Sequence, residues 1–329
     1  MKNMDYINYI NKNLIAILVT LIVLIILILL YRLYMLHNSK LFESFESSNE
    51  PNKIAFLFLT YNNLKRPDIW NKFFDIENNN NDIISSSNTF ASSKYSNKFT
   101  IYNHAKEPEN VTDILLKDKQ IPEHIETCWG CFGTVEANIL MMKEALKDPL
   151  NTKFILVSES CIPIVSFDKF YNEIMKDNKN RLNIHNDLIE RYDDIINPSF
   201  VKNEFTIHSA QGLTFTRKSA KILYNSLSQY KNNWKNVKCV DEHYFGNILR
   251  ILDCEFNNNI NLNNTSFDIW RKNNLDNNKL NYEDIITDSY INIKKISNKA
   301  IDELRTKNYL LARKVDKDTE IDIDYILKN

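Results

Sequence analysis

The sequence predicts an α/β domain with a central, mostly parallel sheet, preceded by one transmembrane helix. Two uninterrupted apolar runs, residues 53–60 and 153–157, have the pattern of strands covered on both faces, as in parallel sheets. Residues 132–146 lie between them and carry apolar side chains at helical spacing, so the order is strand, helix, strand. A third run, Leu14–Leu30, contains no charged residue and predicts the membrane helix.

The remaining elements follow in order along the chain. Within the globular part we expect helices at 68–74, 167–175 and 219–227, a strand at 99–104 and a low-complexity loop at 77–97. The predicted organisation is an N-terminal tail (1–13), a transmembrane anchor (14–36), a polar stem (37–52) and one domain (53–329).

The anchor prediction rests on length. Tyr31, Tyr34 and Leu36 extend the apolar run to about 20 residues, which is enough to cross a bilayer and too long for a cleaved signal peptide. No small-residue cleavage site follows the run. The flanking basic residues are nearly balanced, so charge alone leaves the orientation open.

Composition excludes some classes of function. The formal net charge of −1 provides no basic field for nucleic acid. Only 4 of the 329 residues are Gly, which argues against sites built on glycine-rich loops, and zinc-hydrolase and phosphate-loop signatures are missing.

The cysteines and the glycosylation sequons bear on whether the domain is exposed to the lumen of the secretory pathway. The five cysteines (128, 131, 161, 239 and 254) allow at most two disulfides and leave one thiol over. Sequons begin at Asn110, Asn263 and Asn264 and favour a lumenal domain. Cys128 and Cys131 precede a predicted helix, so they are either a dithiol redox motif or two unrelated cysteines.

Residues 239–245 place Asp241, Glu242 and His243 between apolar neighbours. A carboxylate beside apolar surface has its pKa raised by desolvation, which suits a general base near neutral pH. The structural alternative is a helix start with Asp241 as its cap.

A second candidate site follows the strand at 153–157. Glu159 and Ser160 stand where α/β sheets bind ligands, although a self-capped turn would use the same residue types. The chain has no Asp-x-Asp metal motif at this position, although Asp322 and Asp324 form such a pair in the charged tail. A bound diphosphate would therefore need protein cations. The candidate pairs are Arg217-Lys218, Arg271-Lys272, Lys294-Lys295 and Arg313-Lys314.

Several segments, taken in order from about residue 53 to 316, resemble one enzyme family. They are Ile69–Phe74, Ile101–Ala105, Thr127–Gly130 with Val135-Glu136, Phe154–Phe167, Gln211–Ala220, Cys239–Phe245 and Leu311–Lys314. The set is similar to the core 2/I-branching β-1,6-N-acetylglucosaminyltransferases, most closely to their plant and viral relatives. The short tail, anchor and stem also resemble the Golgi-type architecture of that family.

The resemblance implies a GT-A-like fold, a UDP-sugar donor with GlcNAc as the first candidate, a glycan or glycoprotein acceptor, inversion at the anomeric carbon and no metal or other cofactor. It implies Glu242 as the catalytic base, supported by Asp241, and a donor diphosphate bound by Lys314 with its neighbour Arg313. The second phosphate-binding cation is expected at Lys294 or Lys295, with Lys295 as the first candidate. Glu159, Ser160, Gln211 and Asp241 are expected to bind sugar.

The resemblance also implies a type II protein of Golgi or secretory membranes, with host membranes if the source is viral. One departure concerns the acceptor, because plant members have Gln-Trp-Phe where this chain has Gln211-Gly212-Leu213. Two other functions therefore remain open. One is a non-catalytic lumenal carbohydrate-binding protein, and the other is a dithiol oxidoreductase using Cys128 and Cys131.

Overall fold

The computed structural model describes residues 20, 22–30, 51–76, 93–184, 206–261, 263, 265–268, 285–287 and 292–328. The chain divides into two units, residues 1–50 and 51–329. In the first unit residues 20 and 22–30 are helical, and the rest of the predicted tail, anchor and stem up to residue 50 lies outside the described residues. Within the described part of the chain, no helix has both the length and the apolar character needed to cross a membrane.

The second unit is built on a four-stranded sheet, in the order β2-β1-β3-β5. Strands β1 (Lys53–Thr60), β2 (Phe99–Ala105) and β3 (Asn151–Ser158) are parallel, and β5 (Thr214–Thr216) runs antiparallel to β3. The predicted α/β architecture with a mostly parallel sheet is thereby confirmed.

Helices cover both faces of this sheet, which is why its strands are buried along almost their whole length. Successive β1 residues alternate between two hydrophobic clusters, with Phe56 in one and Leu57 in the other. The Phe56 face packs on α1 (Pro67–Phe73) and α3 (Phe167–Met175), with the Trp70 ring 6.1 Å from that of Phe56. The Leu57 face packs on α2 (Phe132–Ala145), α4 (Arg217–Trp234) and α5 (Tyr244–Leu252).

The C-terminal part of the described chain adds two three-stranded sheets, in the orders β10-β8-β7 and β4-β9-β6. Their strands are β4 (Ile162–Pro163), β6 (Ser266–Asp268), β7 (Ile285–Thr287), β8 (Ile293–Ile296), β9 (Leu311–Arg313) and β10 (Val315–Glu320). Helices α6 (Asn298–Thr306) and α7 (Ile323–Ile326) pack with them around a third apolar cluster. Because β4 follows β3 directly, the β4–β9 pairing brings the C-terminal strands to the end of the main sheet.

The predicted helices agree with the observed bounds, with one exception. Helix α4 runs to Trp234, whereas the apolar spacing predicted its end at residue 227. The polar turns beyond 227 remain helical because buried Trp234 anchors the end, with its ring 5.8 Å from that of Tyr244. Most of the predicted loop at 77–97 lies outside the described residues.

Candidate functional site

A cleft of about 600 Å³ opens where the parallel strands end. Thr60 ends β1 and Tyr61 follows it, Lys106 follows β2, and Ser158 ends β3 and is followed by Glu159 and Ser160. All of these residues line the cleft. Parallel strands end at the same sheet edge, which is where α/β domains bind ligands. The predicted location of the site at the end of β3 therefore coincides with the cleft.

A second wall comes from residues 313–316, more than 150 positions later in the chain. The Val315 amide donates to the Ser160 carbonyl at 2.9 Å, and Arg313 Nε donates to Ser158 Oγ at 3.2 Å. These bonds hold Arg313 and Lys314 in the cleft lining. The predicted cation pair therefore lies beside the predicted Glu159 and Ser160.

The described cleft lining carries four cations and three carboxylates. They are Lys65, Lys106, Arg313 and Lys314, with Glu159, Asp241 and Asp316. Glu159 accepts the Tyr61 amide and lies 3.4 Å from Lys65 Nζ, so it ties the end of β3 to the chain after β1. Asp316 lies 3.3 Å from Lys294 Nζ. The surplus of positive charge suits an anionic ligand.

The segment at 239–245 forms another part of the wall. Cys239 has φ +51°, and a 3₁₀ turn, Val240–Glu242, follows it. Asp241 lines the cleft, whereas Glu242 is 8% exposed and is not part of the lining. A left-handed residue other than Gly is uncommon and tends to mark functional positions.

The same segment shows whether Asp241 is the N-cap of the helix that follows it. Helix α5 begins at Tyr244 with His243 as its N-cap, and no side chain makes a capping bond there. The interpretation of Asp241 as the helix cap is therefore wrong. The Glu242 backbone is instead held by the His208 amide, which donates to its carbonyl at 2.9 Å.

Gln211 also lines the cleft although it is only 5% exposed. Its Oε1 has no hydrogen-bond partner among the described residues. The next residue, Gly212, has φ +72°, and a Cβ there would lie 2.3 Å from Ser266 Cβ. Leu213 is fully buried in the core. The lack of aromatic residues at 212 and 213 is thus a consequence of packing in this chain.

Cys128 and Cys131 form a disulfide at the edge of the cleft, so they are not unrelated cysteines. The other three cysteines are not part of a disulfide; Cys161 and Cys239 are buried and Cys254 is exposed. Cys131 is the N-cap residue of α2, and Cys128, Trp129 and Gly130 line the cleft.

Other predicted residues lie elsewhere. Lys295 lies 2.6 Å from Glu320 and is not part of the cleft lining. Arg217 donates to the backbone carbonyls of Leu146, Asp148 and Asn151, and Lys218 pairs with Asp253, so that pair is structural.

The Arg271-Lys272 pair and Asn264 lie outside the described residues. Of the other predicted glycosylation sites, Asn110 is exposed and Asn263 is half-buried. Across the described ranges, no group of three or more His, Cys, Asp and Glu side chains is arranged to hold a metal ion.

Four residues of the described cleft lining, Tyr61, Lys65, Lys106 and Trp129, were not predicted as site residues from the sequence. Tyr61 and Lys106 each follow a strand that was predicted, so the rule used for Glu159 would have found them. Trp129 had no such signal, because its exposure depends on the fold around it.

His104, near the end of β2, positions the chain that leads to Cys128. Its Nε2 accepts the Ile125 amide at 3.0 Å, and its ring stacks on that of His124 with 4.9 Å between centroids. Burial and the neighbouring His124 lower the pKa of His104 to about 4. The neutral form of His104 is therefore the one that the fold stabilises.

This shift predicts acid destabilisation. The unfolded chain, with an ordinary His pKa near 6.5, binds more protons than the folded one between pH 6.5 and about 4. We expect the contribution of His104 to the free energy of unfolding to fall by on the order of 1 kcal/mol between pH 7 and pH 5. Denaturant unfolding at both pH values should show a smaller pH dependence in His104→Gln, which keeps an acceptor for Ile125. An equal dependence in both proteins would contradict this assignment.

The chain also matches a model of a known protein family. The Core-2/I-branching enzyme model matches residues 54–294, more than half of the chain. The chain belongs to the Core-2/I-branching enzyme family. The match covers the strands and loops that carry Tyr61, Glu159, Gln211 and the 239–245 segment, and it ends before Arg313 and Lys314.

One curated relative of this branching-enzyme chain is Glycosyltransferase BC10 of Oryza sativa subsp. japonica. The two are 24% identical over 228 residues, which is 60% of this chain and 53% of the relative. The chain therefore spans about half the length of that protein. The family and the plant relative agree with the resemblance drawn from the ordered segments.

Proposed function

We propose that this protein is an inverting glycosyltransferase that transfers a sugar from a UDP-sugar to a hydroxyl of a glycan or glycoprotein. The observation that carries the proposal is the cleft itself. It joins the Arg313-Lys314 pair, the strand ends at Tyr61 and Glu159, and the wall that contains Asp241 beside Glu242. Membership of the family supports a nucleotide-sugar donor and a glycan acceptor.

In the proposed reaction, Glu242 accepts the proton of the acceptor hydroxyl as its oxygen attacks the anomeric carbon. The bond from that carbon to the donor phosphate oxygen breaks, and UDP leaves with the electron pair. Glu242 is largely buried and lies next to Asp241 in the cleft wall, which is a position from which a general base can reach an acceptor hydroxyl.

The departing diphosphate needs positive charge, which we assign to Lys314 and Arg313. Fixed cations inside a cleft stabilise the negative charge that develops in the transition state, because they are already in place and no water has to reorganise during the reaction. Lys65 and Lys106 line the same cleft and are further candidates for this role, and they replace Lys295 in our proposal. We propose that no metal is required, and that the sugar is most simply GlcNAc.

We also propose a type II arrangement in Golgi or secretory membranes, anchored through residues 14–36. The uncharged run at 14–30 and the exposed sequon residue Asn110 support it. Protease protection of intact microsomes tests the arrangement, since digestion of the C-terminal domain without detergent would contradict it.

A panel of UDP-sugars with mixed glycan acceptors tests the activity. We expect UDP release with at least one donor at an undiminished rate in EDTA, and a rise in the unfolding temperature with that donor, because a ligand that binds only the native state stabilises it. An enzyme that needs added metal would contradict the metal-free mechanism. Failure to consume any UDP-sugar would favour the non-catalytic carbohydrate-binding alternative.

The packing around Gly212 removes the motivation for one alternative, the decayed carbohydrate-binding site. The loss of aromatics at 212–213, which motivated a decayed site, follows from the close approach of Ser266 to Gly212. The Cys128–Cys131 disulfide closes a loop in the wall of the same cleft, so we assign it a bracing role there.

A further inference from the structure

Trp129 is unusually exposed for its size. Its side chain is 83% exposed, whereas the other exposed large apolar residues described in the second unit reach at most 50%, at Ile114. Exposing so much apolar surface to water is unfavourable, and Trp in such positions commonly serves in recognition. Trp129 also lines the cleft.

The loop that carries Trp129 is closed and short. The Cys128–Cys131 disulfide joins its ends, and the Cys131 amide donates to the Cys128 carbonyl at 3.3 Å. Gly130 has φ +68°, which a residue with a side chain rarely adopts. The indole is therefore carried on a constrained loop, which lowers the entropy lost when a ligand binds.

This loop contacts the segment that carries the proposed base. The Val240 amide donates to the Gly130 carbonyl at 3.4 Å, and a Cβ at Gly130 would lie 3.3 Å from Cys239 Cα. Trp129 is thus fixed beside the turn that contains Asp241 and Glu242. A general base must lie within hydrogen-bond reach of the acceptor hydroxyl, so this side of the cleft belongs to the acceptor.

Two aromatic residues are found in the described lining, Tyr61 and Trp129. The Tyr61 ring already has Lys106 Nζ 5.2 Å from its centroid. No ring or cation is recorded against Trp129 among the residues that the structure describes. Its indole is the aromatic surface that is open to a ligand.

A polar partner is available in the same cleft. Gln211 is 5% exposed, and its Oε1 has no hydrogen-bond partner within the described residues. Leaving a buried amide oxygen unpaired is unfavourable, and a ligand hydroxyl would satisfy it. A stacking face and a buried acceptor atom in one cleft are the two features by which proteins recognise a sugar ring.

We propose that Trp129 is the acceptor-binding platform of this cleft, stacking its indole on the C–H face of a pyranose ring while Gln211 Oε1 accepts a hydrogen bond from a ring hydroxyl. The inference rests on the proposed function for its assignment to the acceptor. The disulfide and Gly130 hold the platform next to the segment that deprotonates the acceptor.

Direct binding tests this proposal without transfer activity. The full chain is kept in a detergent that has no sugar headgroup. It is titrated with the methyl pyranosides of glucose, galactose, xylose, GlcNAc and GalNAc in both anomers, and saturation-transfer NMR measures the binding. We expect at least one pyranoside to bind, with a Kd that Trp129→Ala raises about tenfold or more, and Trp129→Phe to be intermediate. Ile114→Ala, which removes an exposed apolar side chain outside the cleft, is the matched control and should bind like the native chain.

Binding of UDP and the unfolding temperature of each variant show whether it is folded. Equal pyranoside affinity in the native chain and Trp129→Ala would overturn the proposal, and so would the absence of binding by the native chain. If the chain binds a pyranoside through Trp129 but consumes no UDP-sugar, the sugar-binding role of Trp129 is supported and the proposed glycosyltransferase activity is contradicted. If the chain releases UDP but its pyranoside binding does not depend on Trp129, the glycosyltransferase activity is supported and the role of Trp129 is contradicted.

Discussion

Replacing Glu242 with Gln is expected to lower kcat by about 10²–10⁴-fold, the usual contribution of a positioned general base. Glutamine keeps the shape of the side chain and the backbone bonds of the turn, including the bond from the His208 amide to the carbonyl of residue 242. What it loses is the ability to accept the acceptor proton. The acidic limb of the pH–rate profile, where the base becomes protonated, should also disappear in this variant.

Asp241→Asn is the matched control, because Asp241 is the adjacent carboxylate and lines the cleft. We expect a smaller loss in this variant, expressed mainly as a weaker KM for the acceptor. Near-normal transfer by Glu242→Gln together with a severe loss in Asp241→Asn would assign the base to Asp241. The two variants are worth comparing because Asp241 lines the cleft, whereas Glu242 is only 8% exposed.

Replacing Lys314 with Met is the second large effect. It removes one fixed charge from the proposed diphosphate site while preserving most of the apolar stem. Loss of one preorganised group that stabilises transition-state charge costs about 10²–10³-fold in kcat, and we expect a loss of that size here. The effect should be measured with saturating donor, so that weaker binding of UDP-sugar is separated from slower chemistry.

Lys317→Met provides the control for Lys314. Lys317 lies in β10, three residues after Lys314, and is exposed and outside the cleft lining. Replacing it with Met therefore changes the net charge of the domain by the same amount as Lys314→Met. Similar rates for the two variants would mean that Lys314 acts only through net charge, which would remove it from the proposed mechanism.

Much of the fold could be predicted because it depends on local patterns. The continuous apolar runs at 53–60 and 153–157 required a sheet covered on both faces, and the observed clusters on either side of Phe56 and Leu57 have that arrangement. The site at the end of β3 followed from the same reasoning, since parallel strands end at a common edge.

The second phosphate-binding cation shows where such reasoning stops. Lys294 and Lys295 are adjacent in β8, and successive side chains of a strand point to opposite faces. Lys294 lies near Asp316 at the cleft, and Lys295 pairs with Glu320 away from it. Which of the two lysines faces the cleft depends on the register of β8 against β10. No local pattern in the sequence predicts that register.

The sequence by itself determined the order of strands β1 to β3 and helices α1 to α4, the apolar run at 14–30, and the residue types available for acid–base chemistry and phosphate binding. The tertiary structure alone decided which of these meet. It brought Lys314 beside Ser160 through the β4–β9 pairing, joined Cys128 to Cys131, and left Trp129 exposed next to the turn of Asp241 and Glu242. The physical reason is that secondary structure follows from periodicity along the chain, whereas exposure and contact between distant residues depend on how the layers pack.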